Sequence, residues 1–169
     1  DVERSRGLGD VYKRQPTRYF SHTGKEEIAL HIDMVHRFDK NGRESPNPII
    51  NWRNDLRRSL TVVDIVTRDR GSLFEKITGA FSIAELNILG ARAVTRKDGL
   101  AIDVFYVESG KGGVVDNTKT RELCESSINS FLLGESAPEA LISEKRKKTD
   151  RNRLFSNEDK LGDKIPPRV

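Results

Sequence analysis

The order of elements expected between residues 60 and 133 constrains the fold of this chain more than any other feature. β-Branched residues concentrate in segments typical of strands, and apolar residues recur at helical spacing in the segments between them. The predicted order is strand, helix, strand, strand, helix, over residues 60–67, 73–85, 86–95, 100–107 and 118–133. The turn between the last two strands is Lys97-Asp98-Gly99, which supplies the glycine that a tight hairpin needs.

The two helices within this unit carry signals at their starts and along their faces. Ser72 and Glu75 form a capping-box pattern, in which two otherwise unpaired main-chain amides would be satisfied. The first helix is expected to bury Leu73, Ile77, Ala80, Phe81 and Ala84. The second is expected to bury Leu123, Ser127, Ile128, Phe131 and Leu132, with Cys124 as a structural residue.

Segments outside this unit complete the predicted fold. Ile28, Ile32 and Val35 predict an upstream helix over residues 25–38, and residues 49–52 a short strand. Residues 165–169 are interpreted as the start of a truncated last strand. With that strand, the predicted class is α+β, a ferredoxin-like βαββαβ domain with an N-terminal helical segment, whose two helices cover one face of an antiparallel sheet.

Charge and composition narrow the function classes. The net charge of +4 comes from the two ends, since residues 16–138 carry 17 basic and 17 acidic side chains, so the middle has no bias towards polyanions. The basic run at residues 145–153 lacks interleaved aromatics, which favours a linker over a nucleic-acid site. No apolar run approaches the roughly 20 residues of a membrane span, and one cysteine cannot form an internal disulfide, so we expect a cytoplasmic protein without membrane contact.

Several motifs resemble an ACT domain. They are Asp69-Arg-Gly-Ser-Leu-Phe74, Asp98-Gly99 and Asp103-Val-Phe-Tyr-Val107. With Pro16-Thr-Arg-Tyr-Phe20 and Ile165-Pro-Pro-Arg-Val169, the chain resembles more narrowly the C-terminal ACT region of the bifunctional PII uridylyltransferase/uridylyl-removing enzymes.

This resemblance implies a domain organisation. Residues 1–15, which end in a stretch similar to a translated sequencing adapter, are expected to be a non-native leader. The expected parts after it are a connector following an absent HD domain (16–59), the ACT core (60–133), a basic linker (134–164) and a strand leading to a second ACT domain (165–169).

The resemblance also implies a ligand site for glutamine or another small amino acid. The expected ligand-binding residues are Asp69, Arg70, Gly71, Ser72, Leu73, Asn87 and Ile88. A ligand carboxylate would meet the helix N-terminus that follows the turn, and Asn87, opposite it, would contact an amide or ammonium group. Such families usually carry Asp-Arg-Pro-Gly at this turn, whereas this chain has Gly71-Ser72, and we expect Ser72 to act as a helix cap.

For the parent protein, the resemblance implies an enzyme that uses Mg²⁺, with the PII signalling protein and a second ACT domain as partners. The chain itself is expected to hold no catalytic residue, metal or cofactor. It contains neither an Asp-x-Asp pair after a Gly-Ser turn nor an adjacent His-Asp pair. His31 and His36 do not share a helix face, so we expect ordinary helix residues rather than a metal pair. The predicted function is therefore a non-catalytic, glutamine-sensing module in nitrogen regulation.

Two other functions remain open. An RNA-binding ferredoxin-like module would stack bases on aromatic residues of its first and third strands. That alternative is disfavoured because Phe105 and Tyr106 point to opposite faces and the first strand has no aromatic residue. A plain ACT dimerisation module is the third candidate, since the second and third strands are apolar on both faces.

Overall fold

The secondary structure follows the predicted order and adds one full strand before it. The computed structural model describes residues 23–42 and 47–143. Its helices are α1 (Lys25–Lys40), α2 (Leu73–Ile83) and α3 (Thr118–Leu133), and its strands are β1 (Ile49–Asp55), β2 (Leu60–Arg68), β3 (Leu86–Thr95) and β4 (Leu100–Ser109). The expected leader, the residue 16–20 motif, the basic run and the last strand at 165–169 lie outside the described residues. No helix in the described part of the chain is long and apolar enough to cross a membrane.

The strands form one antiparallel sheet in the order β1-β2-β4-β3. The sheet and its helices confirm an α+β fold compatible with a ferredoxin-like ACT-type domain. The two central strands, β2 and β4, are buried along most of their length, as continuous apolar strands should be. Gly99 has a φ of 76° in the β3–β4 turn, which confirms the hairpin expected from its sequence.

One face of the sheet is covered by α2 and α3, and the main hydrophobic core lies between them. Val63 and Ile65 of β2 contribute to it from the sheet, and so does Phe105 of β4. All five residues expected on the inner face of α2 are buried. On α3 the expectation for Leu123 was wrong, because its side chain is 46% exposed and Cys124 faces the core instead.

The edge of the sheet next to β2 is occupied by β1. Ile49 to Asp55 pair with Val66 to Leu60 in an unbroken antiparallel register. The sequence suggested only a short strand here, and the ferredoxin-like pattern assigns a fourth strand to residues 165–169. The β1–β2 pair is joined by four residues, so its loop closure costs little entropy. With β1 on one side and β4 on the other, β2 has no free edge.

The opposite face of the sheet carries α1, which creates a third layer. Met34, Val35 and Phe38 are at most 1% exposed and pack against Val66 and Ile102 of the central strands. The helix was expected from its apolar spacing, but its docking on the sheet was not. This part of the predicted connector therefore packs directly on the domain.

Candidate functional site

The turn between β2 and α2 lies at the end of the sheet that carries the β3–β4 hairpin. The main-chain amide of Asp69 donates to the carbonyl of Gly99 at 2.9 Å, and the amide of Leu73 donates to the carbonyl of Arg70 at 3.2 Å. These two bonds close the turn and direct the first turn of α2 towards the sheet end. The amide of Lys76 donates to the carbonyl of Ser72, four residues earlier, at 3.0 Å, and this bond begins the regular α-helical pattern.

The predicted capping box is not formed. Ser72 adopts the left-handed conformation, with a φ of 59° and a ψ of 21°, and no side-chain hydrogen bond caps α2 within the described chain. A capping serine needs an extended backbone for its oxygen to reach the next amides, and the left-handed geometry turns it away. No side chain therefore accepts from the first turn of α2, and the main-chain amides of Phe74 and Glu75 have no acceptor among the described residues.

Of the other residues of the turn, Gly71 borders open space, whereas Arg70 and Leu73 contact neighbouring elements. A side chain at Gly71 would meet no heavy atom within 4 Å, so the surface above it is free. Arg70 Nη1 donates to the carbonyl of Leu132 at 3.0 Å, which connects the turn to the end of α3. Leu73 is 6% exposed and belongs to the core, where it anchors the start of the helix.

Asn87 and Ile88 lie at the opposite end of β3. Asn87 pairs with Glu108 and its Nδ2 donates to the Glu108 carboxylate at 3.2 Å, whereas the turn residue Asp69 neighbours Thr95 at the far end. Thr95 lies eight residue steps after Asn87 along β3, which is roughly 26 Å at the usual rise of a strand. The seven expected ligand-binding residues therefore form two separate groups within this domain, and Asn87 does not lie opposite the turn.

A groove of about 740 Å³ opens beside Asn87. It lies where the end of α2, the start of β3 and the loop before α3 meet, and Lys111 and Asn117 are among its lining residues. Glu85 has a φ of 58° at this junction, and a Cβ on Gly110 would approach the Glu85 carbonyl oxygen to 2.6 Å. The groove thus surrounds a tightly packed helix-to-strand junction.

Sequence reasoning missed Asp103 as a functional candidate. The residue lies on β4 on the face covered by α2, and it is only 4% exposed. Burial, and to a smaller extent the charge of Asp69, raises the pKa of Asp103 to about 7. An aspartate in an otherwise apolar central strand was the available signal, since buried carboxylates with shifted pKa values concentrate at functional sites.

A network of charged side chains fastens α1 to the other face of the sheet. His31 Nε2 lies 3.0 Å from Asp64 Oδ1, and Arg53 donates to both oxygens of Asp64 at 2.8 and 2.9 Å. Arg92 Nη2 donates to both carboxylate oxygens of Glu27 at 2.8 Å. Burial acts to raise the pKa of Asp64, but the hydrogen bonds from His31 and Arg53 outweigh it and hold that pKa below its usual range.

Three of these side chains have the spacing of a metal site. The ligand atoms of Glu27, His31 and Asp64 all lie within 4.8 Å of one another. Arg53, however, contacts both carboxylates, at 3.2 Å from Glu27 and 2.8 Å from Asp64. A guanidinium therefore already supplies the positive charge, and a metal ion would have to displace it. We assign this cluster to the docking of α1.

The edge strand β3 is the most exposed part of the sheet. Its outer side has no partner strand among the described residues, and most of the side chains of the strand are small or apolar. Ile88 is 38% exposed and Leu89 is 54% exposed beside a bulge in the register. Exposed edges of this kind are suited to pairing with another strand.

Comparisons with known proteins relate the chain to one type of enzyme. A bifunctional uridylyltransferase/uridylyl-removing enzyme from Rhodospirillum rubrum is 30% identical over 116 residues, which is 68% of this chain and 12% of the relative. The relative of the same name from Azospirillum brasilense is 31% identical over 122 residues, or 71% of this chain and 12% of that protein. The Vibrio cholerae relative is 24% identical over 125 residues, or 74% of this chain and 14% of that protein.

The chain is thus similar to a small part of these much longer relatives. The matched region spans 12–14% of the length of these three relatives. No family model matches the chain, and no solved structure matches it. The relatives support the resemblance to bifunctional uridylyltransferase/uridylyl-removing enzymes, and the fold is compatible with an ACT-type domain.

Proposed function

We propose that this chain is a regulatory, amino-acid-sensing module of a bifunctional uridylyltransferase/uridylyl-removing enzyme, with glutamine as its ligand. The observation that carries the proposal is the uncapped first turn of α2, which follows the exposed turn at Asp69 and Gly71. Amides at a helix N-terminus favour an anion through direct hydrogen bonds and the helix dipole. An amino-acid carboxylate is an anion of suitable size for this position.

A second domain would complete the site. The helix dipole contributes about 0.3–1 kcal/mol, which is too little for specific binding by one turn. If a similar domain pairs antiparallel along the free edge of β3, the start of its corresponding strand lies beside Thr95. The position equivalent to Asn87 then approaches the turn at Asp69. This pairing accounts for the separation of the two groups of expected ligand residues within one domain.

The signal would act on an enzyme whose catalytic groups lie elsewhere in the parent protein. Glutamine bound between the paired domains would shift the parent from uridylylating PII towards removing the uridylyl group. Such a shift requires that glutamine binds the two states with different affinities. Mg²⁺ would serve nucleotidyl transfer in the parent's catalytic region, and this module would contribute no ligand to it.

Calorimetry on the parent protein, or on an intact pair of domains, tests the proposal. Wild-type protein should bind glutamine, and Asn87→Ala should weaken binding at least tenfold, because Asn87 contributes the second half of the site. Glu108→Ala is the matched control, since it removes the hydrogen-bond partner of Asn87 and leaves Asn87 in place. Equal affinity of Asn87→Ala and wild type would refute the role of Asn87, and a wild type that does not bind glutamine would refute the sensor.

A plain pairing module is the second candidate, and the free edge of β3 favours it. The two functions differ in their response to ligand. Mass measurements should show that glutamine stabilises the paired state if the chain is a sensor. A paired state that is unchanged by glutamine would support the pairing module instead.

RNA binding is disfavoured by the position of α1. An RNA-binding module of this topology uses the sheet face that lacks helices, but α1 packs on that face. Tyr106 lies there with the guanidinium of Arg92 5.9 Å from its ring centroid. A gel-shift assay with single-stranded RNA should show no complex.

A further inference from the structure

We propose that Asp103 accepts the ammonium group of the bound amino acid, in a site between the first turn of α2 and the outer half of β3. The assignment rests on the proposed function and extends it to the residue that distinguishes amino acids from simple carboxylates. It adds to the site a residue outside the β2–α2 turn and outside β3.

The register of the sheet places Asp103 below the start of α2. Asp103 is paired with Ile65 of β2 on one side and with Ala93 of β3 on the other. Two residues further along the same face is Phe105, whose ring centroid is 5.6 Å from that of Phe74 in the first turn of α2. Asp103 therefore lies two residues closer than Phe105 to the end of the sheet where α2 begins.

The Asp103 side chain is nearly buried, and its carboxylate has no described hydrogen-bond donor. The residue is 4% exposed, and none of the side chains or main-chain groups that the structure describes donates a hydrogen bond to it. Its oxygens keep a little contact with solvent, so a ligand can reach them, and a carboxylate with so little exposure and no donor is costly. A ligand ammonium group supplies three N–H donors and the opposite charge, which satisfies both needs.

The surroundings of Asp103 match the rest of a zwitterion. Asp69 provides a second carboxylate close enough to influence Asp103 electrostatically, and its Oδ2 lies 3.4 Å from the hydroxyl of Thr95. Ala91 and Ala93 are exposed on the same face of β3, so their small side chains leave room beside α2. Asp103 and Asp69, which would accept hydrogen bonds from the ammonium group, thus lie next to the first-turn amides of α2, which would donate to the carboxylate.

This arrangement discriminates by charge. A ligand with a carboxylate but no ammonium group would meet the helix amides, but it would bring no cation to Asp69 or, above the Asp103 pKa of about 7, to the ionised Asp103. An α-amino acid brings that cation adjacent to its own carboxylate. The site should therefore select α-amino acids over carboxylates of the same length and side chain.

The experiment compares two compounds on the full parent protein by calorimetry. The probes are glutamine and glutaramate, which is glutamine with hydrogen in place of the α-ammonium group. Wild type should bind glutamine at least tenfold more tightly than glutaramate. Asp103→Asn keeps the shape of the side chain and removes its charge, and it should reduce that preference to threefold or less through weaker glutamine binding.

Controls separate this assignment from a general loss of structure. Asp116→Asn makes the same chemical change at an exposed position before α3, at the far end of the sheet, and should keep the wild-type preference. Glutaramate binding by Asp103→Asn that is as tight as in wild type, or tighter because one negative charge is removed, shows that the variant is folded. Equal loss of both compounds in Asp103→Asn would overturn the assignment, since it would indicate a structural role.

The remaining outcomes distinguish the two proposals. Wild type that binds glutamine, together with Asp103→Asn that retains the full preference, would overturn the role of Asp103 and leave the sensor intact. Wild type that binds neither compound would refute the sensor, and the assignment of Asp103 would fall with it.

Discussion

At the scale of single residues, the most informative position is Ser72. The sequence suggests a cap, but the backbone there is left-handed, a conformation in which a residue with a Cβ is strained. Glycine usually occupies the corresponding place in the resembling families, and glycine adopts this conformation without strain. Ser72 therefore destabilises the fold at the position where a helix cap was expected to stabilise it.

Ser72→Gly should stabilise the fold by about 0.5–1 kcal/mol, because relief of left-handed strain exceeds the added backbone entropy of glycine. Urea unfolding followed by circular dichroism measures the change. Ser82→Gly is the matched control, since Ser82 lies inside α2 and glycine there should destabilise by about 0.5 kcal/mol. A destabilised Ser72→Gly would show that the serine hydroxyl contributes a stabilising bond after all.

Asp103 leads to a prediction about pH. Its pKa is 3.8 ordinarily and about 7 in the folded chain, so the folded state holds the proton more tightly than the unfolded state. The resulting stability is fully present below pH 3.8 and is lost as pH rises through 7. Asp103→Asn removes this pH dependence. Between pH 4 and pH 8, the free energy of unfolding of the variant should therefore rise by about 2–4 kcal/mol relative to that of wild type.

Denaturant titrations at several pH values test this difference. An effect of the substitution on stability that is the same at every pH cancels, because only the change in the free energy of unfolding between pH 4 and pH 8 is compared. Asp116→Asn, an exposed carboxylate, should follow the wild-type profile throughout. Parallel wild-type and Asp103→Asn profiles would show that the Asp103 carboxylate is not protonated in the fold near neutral pH.

At the scale of elements, α1 shows the difference between forming a helix and placing it. Its apolar spacing is visible in the sequence, and the helix was expected within two residues of its observed end. Its position depends on His31 of the helix meeting Asp64 of β2, residues separated by 33 positions. The sequence does not reveal that these two residues are partners, because a histidine and an aspartate are each also common on a protein surface.

Asp64→Asn should destabilise the fold by about 3 kcal/mol, since removing one member of a buried charged pair leaves the others uncompensated. The pKa of Asp64 is lowered in the fold, so its contribution is present above its ordinary pKa and is lost as pH falls through the folded value. Thermal unfolding at pH 7 and at acid pH measures both effects. Asp33→Asn on exposed α1 surface should change stability by less than about 0.5 kcal/mol.

At the scale of the whole molecule, the two edges of the sheet are not equivalent. Both edge strands, β1 and β3, have an outer side without a partner strand among the described residues, but β3 is the edge that carries the exposed apolar side chains Ile88 and Leu89. If a second domain covers β3 in the parent protein, the main-chain amides of that edge become hydrogen-bonded. This is a property of the assembly and not of the isolated fold.

Hydrogen–deuterium exchange should therefore differ between the isolated chain and the parent. Amides on the outer side of β3 should exchange at least tenfold more slowly in the parent, because pairing protects them. Amides of central strand β4 should be slow in both, and they provide the internal reference. Equal exchange of β3 in the two proteins would contradict pairing along this edge.

The sequence by itself determined the elements between residues 60 and 133, the upstream helix and the turn at Gly99, because apolar spacing and turn chemistry are local. Only the tertiary structure decided that β1 fills the edge beside β2, that α1 covers the second face, and that Asn87 lies far from Asp69. Those outcomes depend on pairings between distant segments. The tertiary structure also decided the left-handed backbone at Ser72 and the burial of Asp103, since each results from how the surrounding elements pack.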